Sequence, residues 1–104
     1  LTLYLFIKGN GGLEKIIFDE ILFIEGVENY VSIDPENKKL IIHATIKGLL
    51  EKLPDVEFIQ IHKSYIVVKN KVDSIEGPTL YSKKHQLPVS RYQRKEVPAK
   101  IIKG

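Results

Sequence analysis

FIQIHKSYIVVKNKVDSIEG, residues 58–77, decides how this chain is to be read. Its flanks alternate branched and aromatic residues with polar ones, the pattern of half-buried β-strands. Between them His62-Lys63-Ser64-Tyr65 places four hydrogen-bonding side chains where the apolar pattern breaks. In a strand, neighbouring side chains point to opposite faces, so Lys63 and His62 divide between an outward and an inward role.

Working outward, the same period governs most of the chain. Leu3, Leu5 and Ile7 alternate with Tyr4, Phe6 and Lys8, and the run ends at Gly9-Asn10-Gly11-Gly12. A strand-like LEKIIF follows and no Lys-Ser/Thr pair is present, so the glycines predict a hairpin turn, not a phosphate loop. After an Asp19-Glu20 turn, ILFIEGVENYVSI reads as two strands around Gly26-Val27-Glu28-Asn29. Asp34-Pro35-Glu36-Asn37 is a turn cluster, with KKLIIHA as the strand beyond it. The period then changes. Ile46, Leu49, Leu50 and Leu53 fall at helical spacing, with Thr45 placed to cap the start and Pro54 as the stop. Turns at Gly77-Pro78 and around Lys83-Lys84 separate three further short strands, and Pro98 prevents an uninterrupted helix through the tail. The expected fold is mainly β, an elongated arrangement of small antiparallel sheets, with one short helix near residues 46–53. Residues 1–104 form a single domain.

Composition excludes several functions. There is no cysteine, hence no disulfide framework, thiolate metal site or thiol nucleophile. No apolar run approaches the roughly 20 residues that cross a bilayer. A cytoplasmic location is the expectation. His43, His62 and His85 match no local metal-ligand spacing, and neither a metal nor a cofactor is expected. His62 and Ser64 share a strand face but lack the glycine signature of a nucleophile elbow, so no catalytic residue is assigned. His43 and Glu25 read as structural, His43 as a partly buried strand residue. The chain contains no methionine and opens directly on a strand, which predicts a fragment cut from the C-terminal side of something longer.

Net charge is +3, unevenly spread. Residues 1–59 hold six lysines against ten carboxylates, and residues 60–104 hold ten basic groups against three acids. A basic half suits a polyanion. Nucleic acid requires Lys and Arg for phosphates, with a few projecting donors for base edges, and a β-rich protein supplies these from loops. Glu28-Asn29-Tyr30, His62-Lys63-Ser64-Tyr65 and Ser90-Arg91-Tyr92 each combine polar donors with an aromatic at the end of an apolar run. A β-rich protein-interaction module is the alternative, and strong salt dependence of binding separates the two.

The ordered series ILFIEGVENYVSI, ATIKGLLEKLP, FIQIHKSYIVV and LPVSRY resembles the LytTR family of DNA-binding domains. Members have a strand ending in Glu with a Tyr about five positions on, here Glu25 and Tyr30. A Thr-Leu-x-x-Leu-Glu-x-x-Leu-Pro helix follows, here Thr45 to Pro54. Then come a Phe-x-x-(Ile/Cys)-His-(Arg/Lys/Asn)-Ser-(Tyr/Phe) segment, here Phe58 to Tyr65, and (Ile/Leu)-Pro-Val-Ser-Arg, here Leu87 to Arg91. The resemblance implies a bacterial transcription regulator that sets loops into successive major grooves of double-stranded promoter DNA, at imperfect direct repeats, and bends it. It also implies a C-terminal output domain of a two-component response regulator, behind an N-terminal receiver or sensor domain, with two copies on the direct repeats, either in contact as a dimer or side by side. Carried over residue by residue, it assigns base contacts to Asn29, Tyr30, Lys63 and Arg91. With Lys63 turned toward DNA, strand alternation turns His62 inward as the support of its loop, and Ser64, Lys69, Lys71, Tyr92 and Arg94 are the candidate phosphate contacts. Two departures stand out. Gly26 occupies a position where many members have Ala, expected to matter only for local flexibility, and Pro98 shortens any C-terminal helix.

Overall fold

Alternation of branched and aromatic residues with polar ones drives most segments into strands, and short turns fold those strands back on their neighbours. The structure, a computed structural model, describes residues 2–9, 11–35 and 40–102. The strands are β1 (Tyr4–Lys8), β2 (Leu13–Ile17), β3 (Ile21–Val27), β4 (Tyr30–Pro35) and β5 (Leu40–His43). After helix α1 (Ile46–Leu50) come β6 (Phe58–His62), β7 (Tyr65–Val68), β8 (Ser74–Glu76), β9 (Thr79–Ser82) and β10 (His85–Pro88), then helix α2 (Glu96–Ile101). All ladders are antiparallel, in a central five-stranded sheet ordered β5-β4-β3-β7-β6, a β1-β2 hairpin and a three-stranded sheet ordered β10-β9-β8. The molecule measures 40 × 33 × 25 Å. The mainly β, elongated arrangement expected from the sequence is therefore the one observed. Of the turn cluster at Asp34-Pro35-Glu36-Asn37, Glu36 and Asn37 lie outside the described residues, as does Asn10 of the first hairpin.

One face of the central sheet is covered along all five strands and the other over β3, β7 and β6, with Ile41 of β5 left exposed. Alternation divides the side chains between two cores. Ile24, Val31, Ile33, Ile42, Phe58 and Ile66 join Ile7 and Ile16 of the hairpin and Ile46 and Leu49 of α1. Phe23, Ile59, Ile61 and Val67 join Leu80 and Leu87 of the three-stranded sheet and Val97 of α2. A register irregularity between Ile21 and Phe23 lets Leu22 and Phe23 serve the same core although they are adjacent in sequence.

The α1 helix starts where its cap predicts. Thr45 Oγ1 accepts the Gly48 N–H at 3.0 Å, satisfying one of the helix's first unpaired donors. Replacing Thr45 by alanine is expected to lower stability by about 1 kcal/mol. Urea unfolding should show a lower midpoint at an unchanged slope.

Two local expectations change. Gly26 is a close-packing position rather than a matter of flexibility, since a Cβ there would lie 2.4 Å from Ile46 Cγ1. The glycine lets the first turn of α1 settle onto the end of β3. A single helix was expected in the chain, and the structure holds a second short one, α2, in the tail. Pro98 is its third residue, in the first turn, where the backbone N–H lost to proline has no intrahelical acceptor anyway. The Pro98 carbonyl accepts the Ile102 N–H at 2.9 Å, and Val97 is buried.

Candidate nucleic-acid interface

The register of the central sheet gathers three turns that are distant in sequence. Val27 pairs with Tyr30, closing a two-residue turn of Glu28 and Asn29, and Glu28 adopts φ 55° to make it. His62 pairs with Tyr65, closing a second two-residue turn of Lys63 and Ser64. Because Glu25 pairs with Tyr65, both turns emerge at the same end of the sheet.

Hydrogen bonds lace that end together. The Gly26 N–H donates to the Ser64 carbonyl at 2.8 Å, and the Ala44 N–H donates to the Asn29 carbonyl at 3.0 Å. On the other flank, the Ser90 N–H donates to the Ile61 carbonyl at 2.8 Å, which brings Arg91 to the tip of β6. Ser90 Oγ donates to Gln93 Oε1 at 2.6 Å, and Gln93 Nε2 donates to the Gln60 carbonyl at 3.0 Å. The 3-10 turn Arg91–Gln93 is thereby clamped to the edge strand by both backbone and side chain.

Inside the second turn, His62 Nδ1 accepts the Ser64 N–H at 3.1 Å, so the imidazole closes the loop on itself. Lys63 beside it is exposed and His62 half-buried. Tyr65 donates its hydroxyl to Glu25 Oε2 at 2.9 Å, across the β3–β7 ladder. Partial burial, then the hydrogen bond and the charge of Glu25, raise the Tyr65 hydroxyl above its ordinary value. The phenol therefore stays a donor at neutral pH. A tyrosine raised on folding contributes stability that is present below its unfolded value, near pH 10, and is lost as pH rises through the folded value. Tyr65→Phe is expected to remove that alkaline loss and to lower neutral-pH stability by roughly 1 kcal/mol, seen by comparing melting temperatures from pH 7 upward.

Asn29, Tyr30, Lys63, Ser64, Arg91, Tyr92 and Arg94 all lie in or immediately beside these turns, and Tyr92 is 94% exposed. Lys69 and Lys71 do not join them. They sit in a 3-10 turn after β7, roughly 14 Å further along at the usual strand rise. There the Lys69 N–H donates to the Glu57 carbonyl, and Lys71 Nζ donates to the Asp19 carbonyl. His43, read from sequence as partly buried, is exposed. It pairs with Tyr30 in register, their rings edge to face at 5.1 Å, which adds a donor beside the first turn. Only the β4–β5 pairing could have revealed it. Among the described residues no cluster of His, Asp or Glu could hold a metal, and no helix is long and apolar enough to cross a membrane.

A mainly β scaffold that presents exposed donors from turns at one end of a sheet has the form of a loop-reading nucleic-acid-binding domain. The LytTr DNA-binding domain family matches residues 11–102, and the chain belongs to that family. Its fold is similar to a solved LytTr DNA-binding domain from a Bacillus cereus protein described as a methyl-accepting/DNA response regulator. The TM-score is 0.74 at 20% identity, covering 97% of each chain. Comparison with curated proteins gave no match.

Proposed function

We propose that this domain recognises specific promoter sequences in double-stranded DNA, with its turns set into successive major grooves at direct repeats. In this reading it is the output domain of a two-component response regulator in the cytoplasm, joined to an N-terminal receiver or sensor domain. Two copies occupy adjacent repeats. One observation carries the proposal: three donor-bearing turns are tied edge to edge by the Gly26–Ser64 and Ser90–Ile61 backbone bonds.

Asn29 has the paired donor and acceptor that match adenine N6/N7, and Tyr30 stands beside it as the second contact of that turn. Lys63 donates only, which favours guanine O6/N7. Arg91 offers a two-pronged fork for guanine on a clamped base. His62 holds the Lys63 turn in shape through Ser64. Ser64, Tyr92 and Arg94 take phosphates around the base-reading residues. Lys69 and Lys71 reach phosphates only on a duplex bent toward the far end of the sheet.

Selection from a random double-stranded DNA pool at near-physiological salt tests the reading. A short motif enriched in repeated copies is the expected result. Binding without enrichment, disappearing uniformly as salt rises, would defeat it.

A further inference from the structure

In strand β1 the residues that alternate with Leu5 and Ile7 include the aromatic Tyr4 and Phe6. Consecutive apolar residues put apolar side chains on both faces of a strand. Here one face is covered. Ile7 and, in part, Leu5 pack with Ile16 into the first core. The outward pairs are Tyr4 with Ile17, Phe6 with Lys15, and Lys8 with Leu13. On that face Tyr4, Phe6 and Leu13 remain 53%, 52% and 72% exposed. The two aromatic rings meet edge to face at 5.9 Å, and Lys15 Nζ stands 4.5 Å from the centre of the Tyr4 ring. The patch is thus already ordered by its own contacts, which lowers the entropy lost when something docks on it.

We infer that the outer face of the β1–β2 hairpin docks an amphipathic helix of another polypeptide, one whose apolar ridge is flanked by Asp or Glu. Three features select that occupant. The five residue pairs of the hairpin extend about 17 Å, which about three turns of helix would cover. The six outward residues include two lysines and no acid, so an acidic flank is complementary and a basic one repelled. A second copy is disfavoured, because the same face on both partners would bring four lysines together with no acid to meet them. Nor does either described helix offer the ridge, since Ile46 and Leu49 of α1 and Val97 of α2 are committed to their own cores. The inference stands apart from DNA reading: the Tyr4–Ile17 end of the hairpin adjoins Phe18, at the opposite end of β3 from the turns.

The test is an amide chemical-shift titration of the isotope-labelled 104-residue chain. The probe is a synthetic helix of about 14 residues with leucines at i, i+3, i+4 and i+7 and flanking glutamates. Its counterpart carries lysines in place of the glutamates. Shifts at Tyr4, Phe6 and Lys15 with the glutamate peptide alone are expected. Phe6→Ser and Lys15→Glu should each weaken binding about tenfold, as for loss of an anchor or reversal of a facing charge, while affinity for DNA is unchanged. Equal shifts with both peptides, or none with either, would overturn the inference. So would hairpin shifts produced instead by phosphatidylserine vesicles, or by raising the protein's own concentration. Lys15→Glu keeps the test valid if Phe6→Ser fails to fold.

Discussion

Replacing Arg91 by alanine is expected to weaken specific DNA binding by about 1–3 kcal/mol and to relax selectivity at one base position, leaving the others intact. The loss should be confined to recognition. The bonds that build the Arg91 platform run from the Ser90 N–H to Ile61, from Ser90 Oγ to Gln93, and from Gln93 to Gln60. None uses the guanidinium, so thermal stability should move by no more than about 0.5 kcal/mol. Arg91→Lys separates charge from geometry. Lysine keeps the attraction to DNA but lacks the fork, so non-specific affinity should be retained while the base preference falls. Competition of wild type and both variants for the selected site and its single-base variants provides the measurement. Unchanged preference at every position in Arg91→Ala would remove Arg91 from the base contacts.

Phe58→Ala should be among the most destabilising single changes in the chain, at about 3–5 kcal/mol. Phe58 is 2% exposed, its ring meets Phe18 edge to face at 4.9 Å, and it anchors edge strand β6 in the first core. Truncation leaves a cavity beneath a strand that has only one neighbour in its sheet, β7. A domain of this size holds roughly 5–15 kcal/mol in all, so the variant retains little margin. Its melting temperature should fall by about 12 °C or more. The same strand carries the Lys63 turn and the carbonyl that holds Ser90, so DNA recognition should fail at temperatures where the wild type still binds. A fall of less than about 4 °C would show that this side of the core closes around the loss.

Local chemistry was legible in the sequence because local rules wrote it. Alternation marked the strands, Thr45 marked the start of α1, which ends at Leu50 ahead of the expected stop at Pro54, and Gly77-Pro78 marked a turn that does place Gly77 at φ 59°. The motif around His62 located a turn and its exposed lysine. Within it His62 accepts the Ser64 N–H across the turn, and Tyr65 donates to Glu25. No helix runs through the whole tail, as Pro98 led one to expect, but a short one forms around it, with Val97 buried in the second core.

Which strand lies beside which was a tertiary decision. Alternation assigns a residue to a face of a sheet but not to a neighbour. The pairing of Glu25 with Tyr65, forty positions apart, depends on two hairpins docking so that both faces find apolar cover. That docking brings Asn29, Lys63 and Arg91 to one end, sends Lys69 and Lys71 to the other, and requires glycine at position 26 beneath Ile46. By itself the sequence determined the strands, the turns and the residue types available for recognition, because those follow from dihedral preference and period over a few residues. The tertiary structure alone decided which of those residues act together, because that depends on the packing of two cores against opposite faces of one sheet.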